Sequence, residues 1–380
     1  MVLNKSLEPA LNIKKNIKVD AQSQVKFKYS WLSNKKNGLS FKVQETETVQ
    51  QIIRNPLLLT LLRLVFEETG EIPPSRVQLY DAGLKIFLRQ WDHTKDVGDE
   101  TYKKMTLNQK EGLLSYVAWM SYVDGEYFIK QQQLEQYITK YIQKISINKI
   151  QPEFAIRQSK QVLQSIQVQY SLFREWTPGI YAFSVLSFHE YLAAKAIVEG
   201  YNFKEIEQTI KYLVDQLTES RWYQIGILVA AMLPNADYLL ILIKQKIDVF
   251  IKEKLTLQPF LKWLEQKSFS VNNAYNPAAF RAFCIECILE IGAEISCNLD
   301  NSLSTDLAAN STQLNNIASE LQKCRFSDSQ KLVLQQYYEL SRVLFEGMEN
   351  AGNLTDSIQE ELKQTLFLSA EFSSVLEVSA

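Results

Sequence analysis

Two histidines, His93 and His189, and four cysteines, Cys284, Cys287, Cys297 and Cys324, are the side chains of this 380-residue sequence best suited to proton transfer, nucleophilic attack or metal binding. Cys284-Ile-Glu-Cys287 has the CxxC spacing that can place two thiolates on one metal, yet no second pair or histidine cluster completes a zinc site. On a helix the two would share a face, which reads as small buried residues in a reducing compartment. His93 has no evident partner and reads as a surface residue. Two histidines leave little material for a Ser/His/Asp or Cys/His constellation. The paired acids Glu67-Glu68 and Glu360-Glu361 read as solvated helix positions. Phosphoryl chemistry needs a GxxxxGK[ST] loop to cradle phosphates and an acidic motif to hold magnesium. None of the 12 glycines is followed by lysine, so the loop is absent, and no strand-like apolar run ends in paired acids. The chain is therefore expected to carry no catalytic residue and no metal of its own, and not to be an enzyme.

The elements that would position any site are helical. A composition 46% hydrophobic and 22% charged is that of a soluble globular protein, and only 9 prolines argue against an all-β fold. A net charge of -2 gives no general attraction to nucleic acid or to an anionic membrane. The longest apolar runs, 225–233 and 238–243, are too short to span a bilayer, and the first residues lack the apolar core of a signal peptide. A soluble, cytoplasmic protein is expected.

Four regions are expected along the chain. Residues 1–44 carry nine lysines against Glu8 and Asp20, and Val25, Phe27, Tyr29 and Trp31 alternate with polar residues as in an edge strand. Residues 45–105 hold two amphipathic helices separated by GEIPPS, with Gly70 stopping the first and Ser75 capping the second. Pro56 suits the first turn of a helix. Residues 106–200 supply three helices and then a hairpin, SLFREW and IYAFSV, around Pro178-Gly179, a type II turn pattern. DNA binding by the third helix is disfavoured, because Arg157 and Lys160 are its only basic residues. Residues 201–380 read as an irregular all-helical domain, with 276–295 as one helix and the Asn/Ser/Thr-rich segment 298–316 as a loop or weak helix.

Within 179–201, GIYAFSVLSFHEYLAAKAIVEGY, a strand runs straight into a helix, and Ser187 with Glu190 has the spacing of a capping box. Phe183, Ser184, Leu186, Phe188, Glu190, Tyr191, Leu192, Ala193 and Ala194 match, position by position, a motif that closes the winged-helix part of NACHT-family signalling NTPases. The stretch NPLLLTLL at 55–62, with Gly70, Pro73, Arg76, Leu79, Tyr80, Gly83, Leu84, Trp91 and Asp92, is similar to the preceding part of that family's module. RW, MLPNADYLL, LKWLEQKS, YNPAAFRAF and FSDSQKLVLQQYY, between 221 and 338, resemble the helical domain that follows the module in a group of bacterial proteins.

The resemblance implies a mainly α fold: a helical remnant of the NACHT module at 45–105, a winged-helix domain with a β-hairpin at 106–200, and an irregular all-helical C-terminal domain at 201–380. It implies that Pro56 stands where the family places a proline against adenine. It also implies that Val185 replaces the histidine that contacts phosphate, and valine cannot donate a hydrogen bond. His189 stands in place of a glutamine; it is a speculative nucleotide contact, with a surface or interface position as its default reading. The sequence begins where the family's nucleotide-binding core would be ending, so no cofactor is expected unless the chain pairs with an intact NACHT core that binds ADP or ATP.

The implied function is a non-catalytic regulatory or sensor portion of a NACHT-type signal-transduction protein of the STAND class, in a bacterial and antiviral defence setting, acting by protein–protein contacts. Its partners would be a NACHT ATPase core or an upstream split half, together with a sensed ligand that the sequence does not identify. A free-standing α-helical scaffold without any nucleotide link, or a decayed fragment, are the alternatives.

Overall fold

The computed structural model describes residues 56–92, 105–146, 152–169, 173–270, 275–309, 311–323 and 325–368. The lysine-rich segment 1–44, His93 and Cys324 lie outside the described residues. Over the described residues the fold is mainly α, with sixteen α-helices and three short strands. In chain order they are α1 (Pro56–Thr69), α2 (Arg76–Asp92), α3 (Leu107–Val123), β1 (Ile129–Lys130), α4 (Gln131–Ile145) and α5 (Pro152–Gln169). Next come β2 (Phe173–Thr177), β3 (Ile180–Phe183), α6 (Leu186–Val198), α7 (Ile206–Gln216), a 3₁₀ turn (Ser220–Trp222) and α8 (Tyr223–Met232). The C-terminal helices are α9 (Asp237–Lys252), α10 (Gln258–Ser270), α11 (Pro277–Leu289), α12 (Glu294–Leu299) and α13 (Asn301–Ala308). They end with α14 (Thr312–Lys323), α15 (Asp328–Asn350) and α16 (Asp356–Thr365). The chain divides into two compact units, residues 1–107 with 161–184, and residues 108–160 with 185–380.

In the first unit α1 and α2 pack as a pair. Leu58, Leu61, Leu62 and Val65 are buried from α1, and Leu79, Tyr80, Leu84 and Leu88 from α2. The contact is close because residue 83 is glycine: a Cβ there would lie 2.3 Å from Leu61 Cδ1. Gly70, at φ +77, ends α1 in the left-handed conformation that L side chains avoid. Ser75 Oγ accepts the Gln78 N–H at 3.2 Å, as an N-cap should. The hairpin pairs Phe173 with Phe183 and Arg174 with Ala182. Gly179 supplies the positive φ (+76) that its Pro-Gly turn requires.

In the second unit α15 is the central post. It packs against α8, α9 and α11, while α11 packs against α10, α12, α14 and α16. Ser327 and Gln330 form a true capping box at the start of α15. Two buried charges staple the C-terminal helices together. Glu286 accepts the Ile295 N–H at 3.0 Å, the Tyr338 hydroxyl at 2.8 Å and the Ser296 hydroxyl at 2.5 Å. Arg281, wholly buried, donates Nε to the Leu366 carbonyl at 2.9 Å and Nη2 to the Gln364 carbonyl at 2.7 Å. Those two bonds fix the end of α16 against α11.

Two expectations are corrected, and the two readings of 298–316 are resolved in favour of helix. The capping box of Ser187 and Glu190 does not form. Val185 is the N-cap of α6 and makes no side-chain cap bond, so Ser187 is already inside the first turn. Residues 276–295 are not one helix, because Glu290 adopts a left-handed φ of 56 that ends α11, and α12 starts only at Glu294. The segment 298–316 is largely helical: the Asp300 carboxylate accepts the Ser302 and Leu303 N–H groups and starts α13.

Candidate functional site

The positions singled out by the sequence fall in different units. Pro56 is the first residue of α1, in the first unit. Val185 and His189 are in the second, at the start of α6. Val185 contributes only backbone there: its carbonyl accepts the Phe188 and His189 N–H groups, each at 3.2 Å.

His189, expected at a surface or interface position, is 2% exposed in the chain. The reason is that α6 has almost no solvent face. Phe188, His189 and every residue from Tyr191 to Ile197 are buried. His189 Nε2 sits 2.9 Å from Ser121 Oγ and 3.2 Å from the Ala118 carbonyl, both on α3. A carbonyl can only accept, so Nε2 carries the ring proton, and the Ser121 hydroxyl donates in turn to the same carbonyl at 3.1 Å. Tyr122 and Tyr127 meet the imidazole edge-on at 5.2 and 5.8 Å. Burial disfavours the imidazolium and pushes the His189 pKa down to about 4, partly offset by the Ala118 bond. At neutral pH the ring is uncharged, with its Nε2 proton committed inside the protein. This arrangement does not fit a phosphate contact, and neither does the valine at 185.

One to three turns away the same two helices share an ion pair. Lys195 Nζ on α6 lies 2.6 Å from Glu111 Oε1 on α3, with both side chains nearly buried. On its other side α3 is tied to the 3₁₀ turn. The Tyr122 hydroxyl donates to the Arg221 carbonyl, and Arg221 Nη1 donates to the Tyr122 carbonyl at 2.8 Å. Trp222, wholly buried, makes edge contacts with Tyr122, Tyr212 and Trp119 at 5.0, 5.9 and 6.0 Å. The α3–α6 joint is therefore a polar and aromatic knot in which His189, Ser121, Tyr122 and Arg221 are hydrogen-bonded and Lys195 is paired with Glu111, while the Trp222 indole N–H is buried without a hydrogen bond among the described residues. It can hold a register between helices; Ser121 Oγ and His189 Nε2 stand 2.9 Å apart, and both side chains are buried.

The cysteines show no metal geometry either. Cys284 is buried and Cys287 half-buried, and burial pushes the Cys284 thiol well above its ordinary range and the Cys287 thiol to about 11. Both are protonated at neutral pH, which is the opposite of a ligating thiolate. Among the described residues no group of three His, Cys, Asp or Glu side chains could hold a metal ion. No helix among them is long and apolar enough to cross a membrane.

A concave feature of the second unit is an open cleft of about 610 Å³ between α8 and α15. One wall carries Thr218, Ser220, Tyr223 and Gln224, the other Gln335, Gln336, Glu339, Arg342 and Glu346, over a floor of Ile227 and Val343. Sequence reasoning missed it. Its only signal was the row Gln335, Glu339, Arg342, Glu346, spaced four, three and four apart on one helical face.

Comparison with known proteins locates one region. Residues 298–369 match the family model of NACHT C-terminal Helical domain 2, a span that contains α13, α14, α15 and α16. The chain thus carries a NACHT-family C-terminal helical region. No curated protein and no solved structure matches it.

Proposed function

We propose that this chain is a regulatory and sensor portion of a NACHT-type signal-transduction protein, acting through protein contacts and not through catalysis. The observation that carries this reading is the match at 298–369, which includes α15, the helix on which α8, α9 and α11 pack. A winged-helix element within 106–200, and defence against infection as the setting in which the module signals, are parts of this reading. The sealed His189 and the hydrogen-bond-inert Val185 favour a chain that binds no nucleotide by itself. ADP or ATP would enter only through a partner that supplies the phosphate-binding loop.

The test is affinity capture of the tagged full chain from its native cell, followed by mass spectrometry. Recovery of a NACHT ATPase in stoichiometric amount supports the proposal. Recovery of unrelated proteins alone favours a free-standing scaffold, and recovery of chaperones alone favours a decayed fragment; either result overturns it.

A further inference from the structure

We infer that the cleft between α8 and α15 is a peptide-binding site that takes an extended segment carrying a basic side chain; this rests on the signalling role proposed above and supplies its sensing surface. The volume, about 610 Å³, lies in the range of ligand sites. The lining is mixed: Ile227, Val343 and the Tyr223 ring supply apolar surface, and the other lining residues set amides, hydroxyls and charges around it.

Three glutamines face the cleft, Gln224 from α8 and Gln335 and Gln336 from α15. A glutamine side chain offers one acceptor and two donors, the complement of a peptide main chain. An extended peptide presents such donor and acceptor groups along its length, so the amide-lined walls fit it better than they fit a rigid apolar ligand.

Charge selects among peptides. Arg342 lies between two acids, with Nη2 2.9 Å from Glu339 and Nε 3.5 Å from Glu346. Gln335 also donates to Glu339 at 3.0 Å. The α8 wall contributes no charged group, so two carboxylates against one guanidinium leave the lining with one net negative charge. A lysine or arginine is favoured and an acidic segment is disfavoured.

The position also gives occupancy a route to the α3–α6 joint. Ser220 and Tyr223, at the rim, flank Arg221 and Trp222, which are locked to Tyr122 of α3. Tyr122 in turn packs on His189 of α6. A segment seated in the cleft bears on the same turn that holds α3.

The experiment pans the full chain against a phage-displayed library of random octapeptides, then measures binding of the selected peptides by calorimetry. Variants are Gln224→Trp, which fills the cleft from a half-buried surface position, and the double change Glu339→Gln with Glu346→Gln. Melting of both variants is checked against the parent chain. The expected result is enrichment of lysine- or arginine-containing peptides, with affinity lost roughly tenfold in Gln224→Trp and about threefold in the double variant. Hydrogen exchange at 118–122 should slow on binding. Failure to select any peptide, selection of acidic peptides, or equal binding to parent and Gln224→Trp would overturn the inference. Capture of the NACHT ATPase by the same variants separates the two readings. If capture persists while peptide binding fails, only the cleft assignment falls; if peptide binding holds while no NACHT ATPase is captured, the signalling role falls.

Discussion

Nε2 of His189 on α6 lies 2.9 Å from the hydroxyl of Ser121 on α3, and this bond ties a buried helix to its neighbour at a point where neither can reach water. Because the ring is neutral and its site closed, the bond makes stability sensitive to acidity. The folded pKa of about 4 lies below the ordinary value of 6.5. The unfolded chain therefore binds the extra proton between these values, and stability falls as pH drops through that window. Above pH 6.5 the contribution is flat. Between about pH 6.5 and 4 the loss should reach roughly 3 kcal/mol, and His189→Gln should remove that slope. Denaturant unfolding of both proteins across the window measures it.

The Glu111–Lys195 pair makes a second, independent tie between the same helices. Removing one partner strands the other charge in the interior. Glu111→Ala should cost about 3–5 kcal/mol, while Glu111→Leu with Lys195→Met should recover most of it. A double-mutant cycle by thermal unfolding separates the pair's coupling from the cost of the stranded charge.

Arg281 holds the Gln364 and Leu366 carbonyls, and burial brings its pKa down to about 10, still charged at any working pH. Arg281→Met keeps the stem but leaves those carbonyls without their donor. A loss of about 2–4 kcal/mol is expected, with hydrogen exchange accelerated first at 364–368 and later in α11. Uniform acceleration across the second unit would show that the arginine stabilises the whole and not the end of α16.

In the first unit, Gly83→Ala would drive a methyl onto Leu61, 2.3 Å from Cδ1. It should cost about 1–3 kcal/mol despite alanine's better helix propensity, and Leu61→Ala should relieve part of that. The combination is read by circular dichroism melting of the full chain.

Much of the helical order was legible because amphipathic periodicity and punctuation agree. Gly70, Ser75, Pro178-Gly179 and Ser327 each sit at the boundary their chemistry predicts. The site was harder to read where periodicity carries no information. Helices α3 and α6 are buried on nearly every side, so their sequences carry no periodic sign that His189, Lys195 and Glu111 are interior partners. Glu290 ends α11 without the glycine that usually marks such a stop. Asp300 was legible in principle, since an Asp two residues before Ser302 is a common helix-start pattern, but the Asn- and Ser-rich composition around it argued for a loop. Arg281 could not be placed at all, because its acceptors are 83 and 85 residues further along the chain.

The regulatory claim is tested most directly by ATP turnover of the NACHT ATPase recovered with this chain, measured with and without the purified full-length chain added. The account predicts no turnover by the chain alone and a severalfold change in the ATPase when it is added at saturating concentration. Turnover by the chain alone, or an ATPase rate unchanged by its addition, would contradict it.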